Sequence, residues 1–388
     1  MNPSFGLRKL ASVKGFYFMK SHKLSQPEKM LLALLRASIN AEEPKREIFE
    51  GVAPCDWKSC SDIAVQQGVL ALAWDGVKRL PIELQPYRNL KISWALAVEQ
   101  YEQTYERYCN VVEELSQHFK DNGLSMIQLK GVGLSTIYPV PNHREGGDID
   151  IYVCREGGFN APSDKEISNK ADDVLEKIGC NVKRNYCAKH SFCRYKGIPV
   201  ENHKSFLDLG EYEIATQVEE LLKNCINPVK ATLPNGGVVL TPSSEFNTLF
   251  VAYHNAMHYG SGFSLHHLVD WACVIRKYGL NLPKALKDKH FLRGIAAMTQ
   301  LSNKYLGTNV PIKCGEKLAA EMLEEIFHPI NDRIMPEGNV FKHYLCRAKR
   351  FFDMTHIKNS ILYIPLWRNV AFKQRLKKTI KRNIKLRI

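Results

Sequence analysis

Arg144-Glu145-Gly146-Gly147-Asp148-Ile149-Asp150-Ile151-Tyr152-Val153-Cys154 is the stretch on which the reading of this chain turns. Two glycines lead into strict alternation, with Asp148, Asp150 and Tyr152 on one face and Ile149, Ile151 and Val153 on the other. Alternate residues of a β-strand share a face, so this strand buries an aliphatic side and aims two carboxylates in one direction. Neighbouring carboxylates repel when both are ionised unless a cation lies between them. Hard oxygen ligands suit Mg²⁺, which takes one or two protein carboxylates together with substrate phosphates. Alternation alone also fits an edge strand with a solvated polar face.

The surroundings of the strand narrow the choice. Upstream, Leu124-Ser125-Met126-Ile127-Gln128-Leu129-Lys130-Gly131 reads as a second strand closing on Lys130-Gly131, followed by a short helix from Val132 to Tyr138. Downstream, Ile198-Pro199-Val200-Glu201-Asn202-His203 places another carboxylate on a strand. The order LKG, LSTIYP, R-x-x-GDIDIYV and a glutamate-bearing strand resembles the DNA polymerase β-like nucleotidyltransferase superfamily. Within it, the chain is most similar to the bacterial branch labelled uncharacterised nucleotidyltransferase.

In that superfamily a strand of the form G-[x]-D-x-D and a third acidic residue hold two Mg²⁺ ions, with Mn²⁺ as a substitute, around a nucleoside triphosphate. Carried over, the resemblance makes Asp148 and Asp150 the paired metal ligands and Glu201 the third, and these three are the expected catalytic residues. Where the wider superfamily carries Gly-Ser before its first helix, this chain carries Lys130-Gly131. Lys130 and Arg144 are expected at the nucleotide's phosphates through charge. Gly131, Gly146 and Gly147 would allow close backbone approach. The bland readings are a surface lysine, an Arg144–Glu145 pair and a plain turn. His203 shares a face with Glu201 and is placed to orient it or a substrate group. His254 and His258 stand at i,i+4 with Asp270 on the next helix, a metal-like spacing but without a glutamate between the histidines. A polar network on the acceptor side, packing helices against the core, is the expectation there.

The reaction implied is two-metal transfer of a nucleoside monophosphate from an NTP to an unidentified acceptor, with pyrophosphate release. A catalytically inactive nucleotide- or protein-binding module is one alternative. A phosphocholine-type phosphotransferase, whose metal strand also contains D-x-D, is the other. Replacing either aspartate by asparagine is expected to stop turnover and relieve carboxylate repulsion.

The whole chain sets bounds on these readings. Its 388 residues, 45% hydrophobic and 24% charged, suffice for two to three domains with a substantial core. No run approaches the roughly 20 apolar residues of a membrane-spanning helix, and the N-terminus lacks an apolar stretch of signal-peptide length. The segment after Met19 reads like a natural beginning, so residues 1–19 are taken as an extension. Eleven cysteines form no Cys-x-x-Cys pair and read as reduced thiols in a cytoplasmic protein.

The net charge of +14 is concentrated at one end: residues 338–388 hold fourteen Lys and Arg against one acid, Asp353. Phe372, Leu376, Ile380, Ile384 and Ile388 recur every four residues among these cations, after Ile361-Leu362-Tyr363-Ile364-Pro365-Leu366-Trp367. A basic amphipathic tail over 361–388 suits an anionic membrane surface, which would make the protein peripheral at the inner face of the membrane. Nucleic acid would also attract this charge and is the less favoured partner. A disordered terminus is the bland reading.

The expected architecture is α+β, with a small mixed-sheet, polymerase β-like core flanked by helical subdomains. The expected parts are an extension (1–19), N-terminal helices (20–120), the αβ core (121–210), C-terminal helices (211–337) and the basic tail (338–388). Ser25-Gln26-Pro27-Glu28 has the form of a capping box opening a helix through Leu35. Helical segments are expected around Cys60–Val69, with Trp57 just upstream, and then a long one from about Asn89 to Lys120, closed by Asn122-Gly123. Further helices are expected over 163–178, from Pro242 to His258 and from Leu265 to Tyr278. Two or three strands should end near Phe206. A hairpin at Leu233-Pro234-Asn235-Gly236-Gly237 should interrupt the C-terminal helices.

Overall fold

A computed structural model describes residues 23–157, 165–209, 212–313 and 316–329, together with 361–362, 373–374 and 376–377. Four helices come first: α1 (Gln26–Asn40), α2 (Pro54–Gln66), α3 (Leu70–Lys78) and α4 (Arg88–Asp121). The capping box forms as expected, with the Ser25 N–H donating to Glu28 Oε2 at 2.7 Å. The helical segments expected around Cys60–Val69 are α2 and, after a turn, α3. Pro54 opens α2 at a position where its missing N–H costs nothing, so Trp57 lies inside the helix. Gly68, at φ +65°, then turns the chain into α3. Helix α4 has 34 residues, a length of about 50 Å at 1.5 Å per residue.

The sheet follows. Strands β1 (Leu124–Gln128) and β2 (Ile149–Arg155) flank the short helix α5 (Gly131–Ser135). After α6 (Lys165–Lys177) come two strands, β3 (His190–Tyr195) and β4 (Ile198–His203), then α7 (Glu213–Cys225) and the hairpin β5 (Val229–Thr232) and β6 (Val238–Thr241). The order across the sheet is β3-β4-β2-β1-β6-β5. β6 pairs with β1 in parallel, so the hairpin expected among the C-terminal helices extends the core's sheet past residue 210. Strand β2 is interior, antiparallel to β1 and parallel to β4, which removes the edge-strand reading. Helices α8 (Ser244–His258), α9 (Leu265–Tyr278), α10 (Lys289–Leu301) and α11 (Glu316–Phe327) complete the described fold. Pro242 precedes α8 rather than beginning it; Ser243 is the cap, accepting from the Phe246 N–H at 3.1 Å.

Both faces of β2 are covered, each by its own core. Ile149, Ile151 and Val153 pack with Val112, Leu115 and Phe119 of α4 and with Ala171 and Leu175 of α6. Tyr152 faces the other core, where its ring lies 4.7 Å from Phe206, which in turn contacts Phe246 of α8 at 4.8 Å. The alternation therefore separates two hydrophobic layers, and the aspartates share the α8 side with Tyr152. Most of the basic tail lies outside the described residues. Of 361–388, Ile361 and Leu362 are fully buried in the larger core, so these two do not face a membrane. The nine described cysteines are unbridged.

A three-part ion pair, buried at His143 and Asp75, ties α3 and α4 to the turn that precedes β2. His143, in the turn Pro141–His143, has Nδ1 2.6 Å from Asp75 of α3 and Nε2 2.8 Å from Glu102 of α4. Burial pushes the imidazole down, but hydrogen bonds to the two carboxylates outweigh it and its pKa is raised. The protonated ring therefore stabilises the fold below its unfolded pKa of about 6.5, and that contribution is lost as pH rises through the higher folded pKa. His143→Gln should lower the melting temperature most at pH 6. The gap to wild type should narrow as the buffer is raised towards pH 9; a gap independent of pH would show that the ring is neutral.

Candidate active site

Asp148 enters β2 and Asp150 is its second residue; Asp150 is fully buried and Asp148 partly so. The parallel register places Glu201 of β4 beside Asp150 rather than beside Asp148. Carboxylate oxygens from Asp148, Asp150 and Glu201 all lie within 4.8 Å of one another. Asp150 is the best compensated of the three. Its Oδ2 lies 3.1 Å from the Lys130 ammonium and its Oδ1 2.9 Å from Nε2 of His203. Glu201 Oε2 lies 3.1 Å from Nδ1 of His190 and 3.7 Å from Nε2 of His203.

The three acids are consequently in different electrostatic states. Burial raises Asp150, but Lys130 and the His203 hydrogen bond outweigh it and hold the carboxyl well below its usual range. Burial, reinforced by the charge of Asp150, pushes Asp148 up. The same two causes push Glu201 up to about 7. Two of the acids thus resist ionisation for want of positive charge. Oδ2 of Asp150 is buried without a well-aligned hydrogen bond. An all-oxygen donor set short of countercharge fits Mg²⁺ or Mn²⁺.

The loop around the acids is held from below. Gly131 adopts φ +54°, and a Cβ there would stand 3.2 Å from the Asp148 carbonyl oxygen, so glycine lets the α5 turn approach β2. Arg144 is buried, and its guanidinium makes two bonds of 2.8 Å to the Asp270 carboxylate and one of 3.3 Å to the Gly131 carbonyl. Its expected alternative partner, Glu145, instead caps α3, accepting from the Leu70 N–H at 2.7 Å, and burial pushes that carboxyl up to about 6. The Gly147 carbonyl accepts from the Tyr108 hydroxyl at 3.0 Å.

Asp270, read with the histidines, is bound to Arg144 and to the hydroxyl of Tyr138. The third member of the histidine group is His267. Ring centres of His254 and His258 are 4.5 Å apart, those of His258 and His267 4.4 Å, and those of His254 and His267 5.6 Å. Burial drives His254 and His267 well below the usual histidine range, so both are neutral at pH 7.

A family model described as an uncharacterised nucleotidyltransferase matches residues 53–306. The chain belongs to this nucleotidyltransferase family. No curated protein and no solved structure matches it. The matched span runs from the start of α2 to beyond α10, and so contains every residue named at the site.

Three residues of the acidic and histidine clusters escape a reading of the sequence. His190 reaches Glu201 because the β3–β4 register sets it opposite His203. Lys189, beside it, helps to hold Asp150 down. Neither lies in a motif, and pairing β3 with β4 was the signal available. His267 is the third residue of α9 and accepts from the Ser264 N–H at 3.1 Å, which reads locally as a capping device.

The Arg144–Asp270 pair is buried on both sides, and removing one partner strands the other charge. Asp270→Asn should lower unfolding free energy in a urea titration by about 3–5 kcal/mol. Arg144→Met combined with Asp270→Leu should recover much of that loss; a double variant as unstable as the single would refute the pairing as the cause.

Proposed function

We propose that the protein transfers a nucleoside monophosphate from an NTP to an acceptor hydroxyl or phosphate, in the manner of polymerase β-like enzymes. The observation that carries this reading is the convergence of Asp148, Asp150 and Glu201 from two parallel neighbouring strands. The acceptor oxygen forms a bond to the α-phosphorus as the bond to pyrophosphate breaks. Mg²⁺ held by the three carboxylates, with Mn²⁺ as a substitute, supplies charge neutralisation for the triphosphate and acidifies the attacking group.

The chain's own groups have separable tasks in this reading. Glu201, on the strand beside Asp150, is placed to help withdraw the acceptor's proton. Lys130 offers its ammonium to phosphate oxygens, while Gly131 and Gly147 keep the adjoining backbone free of side chains. Arg144 acts on the nucleotide through the Gly131 carbonyl it holds. His203 keeps Asp150 oriented.

Asp148→Asn and Asp150→Asn should each reduce pyrophosphate release from NTP by at least about a hundredfold. Full activity in either would refute the reading, and NTP binding by wild type without turnover would point to an inert binding module. The two variants should differ in stability, against the simple expectation that both relieve repulsion. Asp148 has a raised pKa, so removing its charge should leave the melting temperature equal or higher. Asp150 compensates Lys130 and His203, so its loss should destabilise the protein.

The basic tail extends the proposal to location. Nine Lys and Arg between Arg368 and Arg387, each contributing on the order of 1 kcal/mol near an anionic surface, would hold the enzyme reversibly at a membrane. The full chain should co-sediment with anionic but not neutral vesicles and be released by salt. Equal binding by a version ending near Pro365 would remove the tail from this role.

A further inference from the structure

We propose that His254, His258 and His267 form a binding site for a transition-metal dication of the Zn²⁺ class, distinct from the carboxylate site. His254 and His258 project from one face of α8 and His267 from the first turn of α9. One ring nitrogen from each lies within 4.8 Å of the others.

The ring positions carry the argument. Centroid separations of 4.5, 4.4 and 5.6 Å define a triangle whose corners all lie about 3 Å from a common point. A metal held at roughly 2.0–2.1 Å from an imidazole nitrogen lies about that far from the ring centre. The three ring centres are therefore equidistant from one position, and each ring has a nitrogen within 4.8 Å of the others. Neither nitrogen of His254 hydrogen-bonds to a described residue, although the ring is only partly accessible. Asp270, the acid nearest in sequence to His267, is committed to Arg144 and Tyr138.

His267 also has the outer support that metal-bound histidines use. Its Nδ1 lies 2.8 Å from Oγ of Ser264. That hydroxyl can accept from Nδ1–H and leave Nε2 for the metal. Without metal, the ring takes the other tautomer and accepts the Ser264 N–H, so occupancy moves one proton across the ring and releases none. Imidazole donors prefer Zn²⁺, Co²⁺ or Ni²⁺, whereas the all-oxygen set of Asp148, Asp150 and Glu201 prefers Mg²⁺ or Mn²⁺. The two donor sets should load different metals from one solution.

The test uses the full chain, stripped by chelator and kept in excess Mg²⁺ to occupy the carboxylates. Titration with Co²⁺ should bind one equivalent and give visible absorption of a nitrogen-ligated ion, and Zn²⁺ should displace it and raise the melting temperature. His254→Gln and His258→Gln should each weaken Co²⁺ binding at least about tenfold, while Asp148→Asn should bind as wild type does. Metal-free melting curves of the variants establish that they are folded. Unchanged Co²⁺ affinity in both histidine variants overturns the proposal, as does loss of binding in Asp148→Asn or no binding by wild type. None of these outcomes depends on NTP turnover.

Discussion

A fully buried carboxylate in the interior of a sheet is the constraint around which this protein is arranged. Asp150 has no exposure, and an ionised acid there is unfavourable unless positive charge and hydrogen-bond donors come to it. Lys130 arrives from the end of β1 and His203 from the end of β4, so the acid's compensation comes from its two neighbouring strands. Lys130 reaches this position because Gly131 tolerates a left-handed backbone immediately after it. The Gly131 carbonyl is fixed by Arg144, and Arg144 by Asp270 on α9. A chain of charge thus leads from the middle of the sheet to the C-terminal helices. The helix carrying Asp270 supports the site without contributing a ligand to the acidic cluster.

The two cores divide the labour. The aliphatic face of β2 rests on α4 and α6 as a dry support, while the opposite face meets aromatic residues, Tyr152, Phe206, Phe246 and Phe250, and then histidines. A hydrophobic layer behind the strand holds the acids rigidly and keeps water from one side, which strengthens every charge interaction on the other. The same arrangement explains why Asp148 and Glu201 are pushed up while Asp150 is held down: all three feel Lys130, but Asp150 touches both its ammonium and the His203 ring.

Much of this was legible because period and capping are local. Alternation placed Asp148 and Asp150 on one face, and the bounds of α4 and α9 came close to those read from Asn122-Gly123 and from hydrophobic spacing. Membership of the sheet was harder to read. The β5–β6 hairpin has ordinary turn chemistry, and nothing local says that β6 will pair with β1 across more than a hundred residues. The partner of Arg144 was hidden for the same reason. Glu145 adjoins Arg144 in sequence but lies across the backbone at α3, whereas Asp270 reaches it only after α9 has folded back. His267 stayed hidden behind a capping role that it also performs.

The strand order has a consequence for the newly made chain. Parallel β1–β6 and β2–β4 pairs cannot close until long intervening segments exist. At about 5–20 residues per second, β1 waits roughly 5–20 s after its own synthesis for β6 to appear. During that interval it can pair with β2 on one side, while its other side is an open edge of the kind that recruits foreign strands. Helix α4, completed just before β1 and able to cover the aliphatic face, is what the nascent ribbon has for shelter. In the ribosome-bound chain, the long helix that later walls the core is the element already made that could cover this face.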